Sequence, residues 1–562
     1  MSSLSNVPLI PRKVLFDNPD KASARISPDG TKISYLAPLD GVLNIWVGPV
    51  DNRETAKPVT DDKVRGVRFY SWAYTYQHIL YLQDKGGDEN WRLYSVNLET
   101  DETKDITPLE GVQAQVQEVS PRFPDEILVG INDRVPQLHD IYRIHLDTGE
   151  RTLVQENTEN FAGFMTDQNF NIRFGMKMNP DGTVELFQPG EPDWTSYLVI
   201  PKEDALTTNP IGFDKSGKLL YLTDSRGRNT AALFTLNIET GEKTLIAEND
   251  RSDVDDIMIH PTEKNLLAVA FAYERKEWQI LDEAITADLD YLKDVADGDA
   301  EVVSWTHDAS HWIVAYTMDN GPVRYYLYDR QAKDAKFLFT NRKALEGVTL
   351  SNMHPVVVAA RDGFMLVNYY TLPPEYEGKT HPDKPLPMIL FVHGGPWGRD
   401  QWGYNPYHQI MANRGYAVLS VNFRASTGFG KEFINAGDLE WAGNMHNDLL
   451  DSVDWAIEEG IADPDRVAIM GGSYGGYATL VGLTFTPEKF ACGVDIVGPS
   501  NLITLISSIP PYWEPTIELF AKRMGDHRTE EGEIHLLERS PLTHVDRIIR
   551  PLLIGQGAND PR

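Results

Sequence analysis

A strand–turn–strand theme recurs seven times between roughly residues 22 and 345, and no other feature constrains the fold as strongly. Its clearest copy is RISPDGTKISYLAPLDGVLNIWVG (25–48): strand, Pro-Asp-Gly turn, strand, loop, third strand. Looser copies begin at Phe69, Val119, Phe164, Gly212, Ile259 and Ser304. Several are followed by a strand that ends in a small polar turn, as in WRLYSVNLETDE, DIYRIHLDTGE and AALFTLNIETGE. Glycine and short polar side chains accept the backbone angles a tight hairpin requires. The period of about 46 residues is that of propeller blades built from four short strands. The repeat predicts an all-β seven-bladed propeller over 22–345, preceded by an N-terminal extension, 1–21. A β-sandwich or two smaller β domains is the competing fold, which the near-constant spacing disfavours.

Past residue 345 the texture changes. Residues 372–387, rich in Pro, Glu and Lys, read as loop or hairpin. MILFVHGG (388–395), YAVLSVNF (416–423), RVAIMG (466–471), FACGVDIVG (490–498) and RPLLIGQG (550–557) then read as buried strands, most of them unbroken apolar runs. Between them, 444–460 is helical, with Leu449, Leu450, Val453, Ala456 and Ile457 on one face and Gly460 as a stop. A chain of 562 residues exceeds one core. Strand–helix alternation predicts a second domain, 346–562, with a mostly parallel sheet and helices on both faces.

The chemistry is concentrated in this second part. Gly471-Gly472-Ser473-Tyr474-Gly475 lies between the strand RVAIM and the helical pattern YATLVGL. A G-x-S-x-G turn in that context is the nucleophile elbow of an α/β-hydrolase, where flanking glycines let the serine oxygen project above the sheet. Ser473 is the expected nucleophile. His393-Gly394-Gly395-Pro396 closes the strand MILFV and is similar to the loop that gives this fold one oxyanion donor. The backbone N–H groups of Tyr474 and Gly395 are the expected oxyanion hole, and His393 is expected to be structural. Asp560, after the late strand, is the expected acid of the triad. The base should be a histidine after the acid, yet all 14 histidines precede Asp560, with His527, His535 and His544 the last of them. The chain alone is therefore expected to be inactive or severely impaired: cut short, one half of a two-chain enzyme, or a propeller-bearing binding protein without catalysis. An esterase remains an alternative, because the elbow serves any acyl transfer.

Composition narrows the partners. With 52 Lys+Arg against 83 Asp+Glu, the net charge of -31 repels phosphate backbones and anionic lipid, so neither nucleic acid nor membrane is expected. The N-terminus, MSSLSNVPLIPRKVLFDNPD, has no charged stretch leading into an apolar run, so no signal peptide is expected. Cys492 is the only cysteine, which suits a reducing, cytoplasmic setting. No HExxH and no Cys/His cluster occurs, so neither metal nor cofactor is expected. Homo-oligomerisation is left open.

The stretches His393-Gly394-Gly395-Pro396, NFRASTGFGKEF from Asn422, EWAGNMHNDLLDSVDWA from Glu440, GGSYGGYATL from Gly471 and GQGANDPR from Gly555 resemble the prolyl oligopeptidase family of serine peptidases, nearest its acylaminoacyl-peptidase branch. The likeness spans roughly residues 385–562; Ala425 departs from it where relatives often carry glycine. The resemblance implies hydrolysis of short or N-acylated peptides through an acyl-enzyme, with the propeller restricting access. Tyr477, Tyr512 and Trp513 are the expected walls of an apolar substrate pocket.

Overall fold

The computed structural model describes residues 7–560 except Glu191. Among these, residues 22–340 form seven small antiparallel sheets, each made from consecutive strands: the seven-bladed propeller. The repeat has a physical basis in its turns. Asn97 accepts hydrogen bonds from the N–H groups two and three residues on (2.9 and 3.2 Å). Asn237 (3.0 and 3.2 Å) and Asp329 (2.9 and 3.0 Å) do the same in other blades. In the third blade the His145 ring takes that role. Each is a side chain folding its own hairpin.

The sixth blade has only three strands, Val254–Ile259, Leu266–Ala272 and Lys276–Ile280. A helix, Thr286–Lys293, follows and sends Leu292 into an apolar cluster with Leu267, Trp312, Tyr316 and Tyr328. The ring closes without a shared strand. Ala24, Ile26 and Ile33 of the first blade pack with Ile313, Ala315 and Tyr325 of the seventh, and the Ile26 N–H donates to Ser304 Oγ at 3.1 Å.

The second part is one seven-stranded sheet with helices packed against it, an α/β-hydrolase. Its strands are β1 (Met353–Ala359), β2 (Met365–Thr371), β3 (Leu386–Val392), β4 (Ala417–Val421), β5 (Ala462–Gly472), β6 (Cys492–Ile496) and β7 (Leu552–Gly555). Their spatial order is β1-β2-β4-β3-β5-β6-β7. β1 and β2 are antiparallel, as are β2 and β4; the remaining pairs are parallel. Residues 372–385 hold only a short 3₁₀ turn, Pro374–Tyr376; the hairpin lies upstream, in β1 and β2. Leu390, Val392, Leu419, Val421, Val467 and Ile469 are fully buried, each worth about 1.5–3 kcal/mol of apolar transfer. Helix α1 (Asn444–Glu458) turns Leu449, Val453 and Ala456 into the same core.

The two parts are pinned together. Arg399 donates to the carbonyls of Ala272 and Tyr273 at 2.6 and 2.8 Å. Lys431 reaches into the propeller and meets the Asp204 carboxylate and the Ser225 carbonyl at 2.7 and 3.0 Å. From the N-terminal segment, the Ile10 N–H donates to Asn413 at 2.7 Å, so this stretch docks on the hydrolase. No helix among the described residues is long and apolar enough to cross a membrane.

Candidate active site

Ser473 sits between β5 and helix α2 (Tyr474–Phe485) with φ 56° and ψ -117°. A non-glycine residue so placed costs of order 1–3 kcal/mol and persists only where its surroundings fix it. Here the Ser473 N–H donates to the Ile496 carbonyl at 2.9 Å, and its own carbonyl accepts from the Tyr477 N–H at 3.0 Å. The side chain is exposed. The neighbouring glycines are required by space. A Cβ on Gly471 would lie 2.5 Å from the Val392 carbonyl oxygen, one on Gly475 2.0 Å from the same atom, and one on Gly476 2.4 Å from the Asp495 carboxylate. β3 and Asp495 crowd Gly471, Gly475 and Gly476 too closely for a side chain at those three positions.

The loop after β3 approaches from the other side. A Cβ on Gly394 would meet Ser473 Cβ at 3.4 Å, and Gly395 holds φ +131°, a backbone that favours glycine. Gly395, Ser473, Tyr474 and Asp560 line one cavity of about 520 Å³, together with Trp441, Val497, Trp513 and Phe520. Asp560 is half-buried and accepts from the Gln556 amide at 3.3 Å. His393 is held away from the serine. Its Nδ1 donates to the Gly394 carbonyl at 2.8 Å, so Nε2 is left to accept from Ser426 Oγ at 3.0 Å. Among the described residues no histidine hydrogen-bonds to the Ser473 hydroxyl.

The three expected pocket residues separate. Trp513 lines the cavity and stacks on Phe520. Tyr477 is fully buried, packs against Trp441 and Tyr474, and donates to the Arg539 carbonyl at 2.8 Å; it is core. Burial also pushes its phenol, like that of Tyr474, above the usual range. Tyr512 is not among the residues that line the cavity, and it donates to the Glu89 carboxylate at 2.8 Å. Glu89 belongs to the second blade, sits at φ 57°, and its backbone is gripped from both sides: its N–H by Asp84, its carbonyl by Gln113. Sequence reasoning missed this contact between a propeller carboxylate and the segment that carries Trp513. It also missed Trp441, Val497 and Phe520. No group of three or more His, Cys, Asp or Glu side chains among the described residues could hold a metal ion.

A strained serine between strand and helix, opening on a cavity lined by Gly395, Tyr474 and Asp560, has the geometry of a serine hydrolase elbow. The Prolyl oligopeptidase family model matches residues 402–562. Dipeptidyl aminopeptidase BIII of Pseudoxanthomonas mexicana is 52% identical over 564 residues, covering 100% of this chain and 82% of that protein. Dipeptidyl peptidase family member 6 of Caenorhabditis elegans is 38% identical over 591 residues, covering 99% and 80%. A puromycin-hydrolyzing peptidase of Mycobacterium tuberculosis shares the fold, with a TM-score of 0.74 at 18% identity over 99% of this chain and 88% of that one. The chain belongs to the prolyl oligopeptidase family of serine peptidases.

Proposed function

We propose that the protein cleaves short peptides by attack of the Ser473 hydroxyl on the scissile carbonyl. An imidazole base takes the hydroxyl proton as the Oγ–C bond forms. The tetrahedral oxyanion is received by the N–H groups of Gly395 and Tyr474, and Asp560 orients the imidazole and stabilises its charged form. The leaving amine takes the proton, and water then repeats the sequence on the ester. The observation that carries this reading is the left-handed backbone at Ser473, opening into the cavity shared with Gly395, Tyr474 and Asp560. The described residues place no imidazole on Ser473, so by themselves they are expected to turn over several orders of magnitude more slowly than a complete triad.

For the substrate we infer peptides with a free amino terminus, cleaved to release dipeptides. Two observations favour this over N-acylated peptides. The relatives that align along the whole chain, propeller included, are named for dipeptidyl release. The Glu89 carboxylate, hydrogen-bonded to Tyr512, the chain neighbour of the cavity-lining Trp513, is suited to an α-ammonium and not to an acylated nitrogen. The single cysteine supports a cytoplasmic setting.

The test compares a dipeptidyl p-nitroanilide with its Nα-acetyl form, using the full-length protein and its Ser473→Ala variant. Hydrolysis of the free-amine compound, lost in the variant, is expected. Hydrolysis surviving in Ser473→Ala removes the nucleophile. Equal hydrolysis of the acetylated compound removes only the substrate class.

A further inference from the structure

We propose that Phe423 is a positioning residue that sets the separation of the two oxyanion donors. The inference rests on the Ser473 reading above. The donors come from different segments, Gly395 from the loop after β3 and Tyr474 from the start of α2. β3 and β5 are ladder partners as far as Val392 and Gly471; beyond that pair no ladder bond ties the two segments, although Gly394 still lies against Ser473.

Phe423, two residues past β4, packs its ring against an aromatic side chain of each segment. Its ring stacks on the His393 ring, with centroids 4.5 Å apart and planes inclined by 13°. It also stacks on the Tyr474 ring, at 5.0 Å and 28°. These two contacts link the rings in the order His393, Phe423, Tyr474. Each outer ring belongs to a donor segment: His393 opens the loop that presents Gly395, and Tyr474 carries the second N–H itself.

The stack cannot slide. At one end, His393 is bonded to the Gly394 carbonyl and to Ser426 Oγ, and Ser426 is fully buried. At the other, the Trp441 ring meets Tyr474 edge-on, at 4.7 Å and 88°. The middle is anchored through the next residue. Arg424 donates two guanidinium bonds to Asp448 of α1, at 2.7 and 2.9 Å, and its backbone N–H donates to the same carboxylate at 2.8 Å. A further bond runs from Arg424 to Asp362 at 3.0 Å. Phe423 and Asp448 are wholly buried. An oxyanion donor acts only within about 2.7–3.1 Å of the charge, so a displacement of about 0.5 Å of one segment against the other removes much of its effect. A ring of fixed thickness between two clamped rings holds that tolerance.

The test uses the full-length protein. Phe423→Leu keeps an apolar side chain of similar bulk and removes the stacking planes. Removing one oxyanion donor outright costs about 10²–10³ in kcat. Displacing one is expected to lower kcat roughly tenfold or more, with KM unchanged. Affinity for a dipeptidyl boronic acid, which mimics the tetrahedral adduct, should fall by the same factor, while affinity for a product dipeptide stays the same. A second pair of variants works from the other end. His393→Leu should reproduce the loss, and His393→Phe, which restores a ring without an imidazole, should recover most of it. A folded Phe423→Leu with wild-type kcat and boronate affinity overturns the proposal. So does a His393→Phe as damaged as His393→Leu, which decides the matter if Phe423→Leu does not fold. Boronate capture that survives in Ser473→Ala, or is absent from the wild type, instead removes the Ser473 reading and this proposal with it.

Discussion

The propeller and the hydrolase use left-handed backbone in opposite ways. In the propeller, Asp40, Asp101 and Lys333 adopt φ of 53°, 57° and 51° in exposed positions at hairpin turns. Aspartate tolerates that region, and solvent accommodates the turn. In the hydrolase, Ser473, Val497 and Ala425 hold φ of 56°, 50° and 80°. Ser473 and Val497 line the cavity, and Ala425 is buried two residues past Phe423. A β-branched valine at positive φ is an outlier for which local sequence offers no relief; the Gly555 carbonyl holds it, accepting its N–H at 2.8 Å. The propeller therefore spends unusual backbone on reversing direction, one hairpin at a time. The hydrolase also places it at Ser473 and Val497, on the cavity itself, where backbone hydrogen bonds to Ile496 and Gly555 keep it.

The largest effect expected from this contrast is on chemistry alone. In a full-length protein with its imidazole base in place, Ser473→Ala should lower kcat by roughly 10⁵–10⁶, with an unfolding midpoint in urea close to wild type, because the strained turn is kept. A small loss of rate would mean the strain there serves something other than nucleophilic attack. The next effect is on stability. In Gly475→Ala the new methyl would lie 2.0 Å from a strand carbonyl oxygen, and the expected loss is at least about 3 kcal/mol. In Gly111→Ala, at φ +68° with nothing within 4 Å of the new atom, the loss should be about 1–2 kcal/mol. Equal losses for the two, measured by urea titration, would erase the distinction between the halves.

Glu89→Gln tests whether the propeller enters the chemistry at all. Charge-assisted hydrogen bonds are worth about 1.5–3 kcal/mol. The variant should therefore lose roughly 10- to 100-fold in kcat/KM on free-amine dipeptidyl anilides and nothing on acetylated ones. A loss on both alike would reduce Glu89 to a strut for Tyr512.

What the sequence could disclose follows the same division. Each blade is local in sequence, so its strands and Asn- or Asp-capped turns repeat legibly. The three-stranded sixth blade does not, because the helix 286–293 fills that space with apolar residues the periodicity cannot distinguish from a strand's. The elbow at Ser473 and the glycine loop at Gly395 are legible because steric demands force their residue types. Tyr477 was misplaced as a pocket wall: one helical turn beyond Ser473, its side chain points into the core. The Phe423 stack depends on β4 lying beside β3, and Glu89 meets a residue 423 positions away. Neither has a local signature.

A further effect, on stability alone, belongs to a charge the propeller uses only for structure. Asp224 ends a strand of the fifth blade with its side chain fully buried. Burial alone would raise its pKa, but hydrogen bonds from Arg226 and Lys243, with the Arg226 charge, outweigh it and hold the carboxyl at about 2. A carboxyl depressed below its unfolded value contributes stability above the unfolded pKa and loses it as pH falls through the folded one. For a drop from 3.8 to about 2 the contribution is ~2 kcal/mol at neutral pH, roughly half of it gone by pH 3. The next residue, Ser225, donates to Asp204 at 2.6 Å, and Asp204 in turn receives Lys431 of the hydrolase. Asp224→Asn should therefore lower unfolding free energy by about that amount at pH 7, with the gap to wild type narrowing below pH 4, while kcat at neutral pH is unchanged. A gap that persists at pH 3 would assign the stabilisation to packing instead of charge. A fall in kcat would mean that the blade-to-hydrolase contact at Lys431 transmits to the site, and the two halves could no longer be treated as mechanically separate.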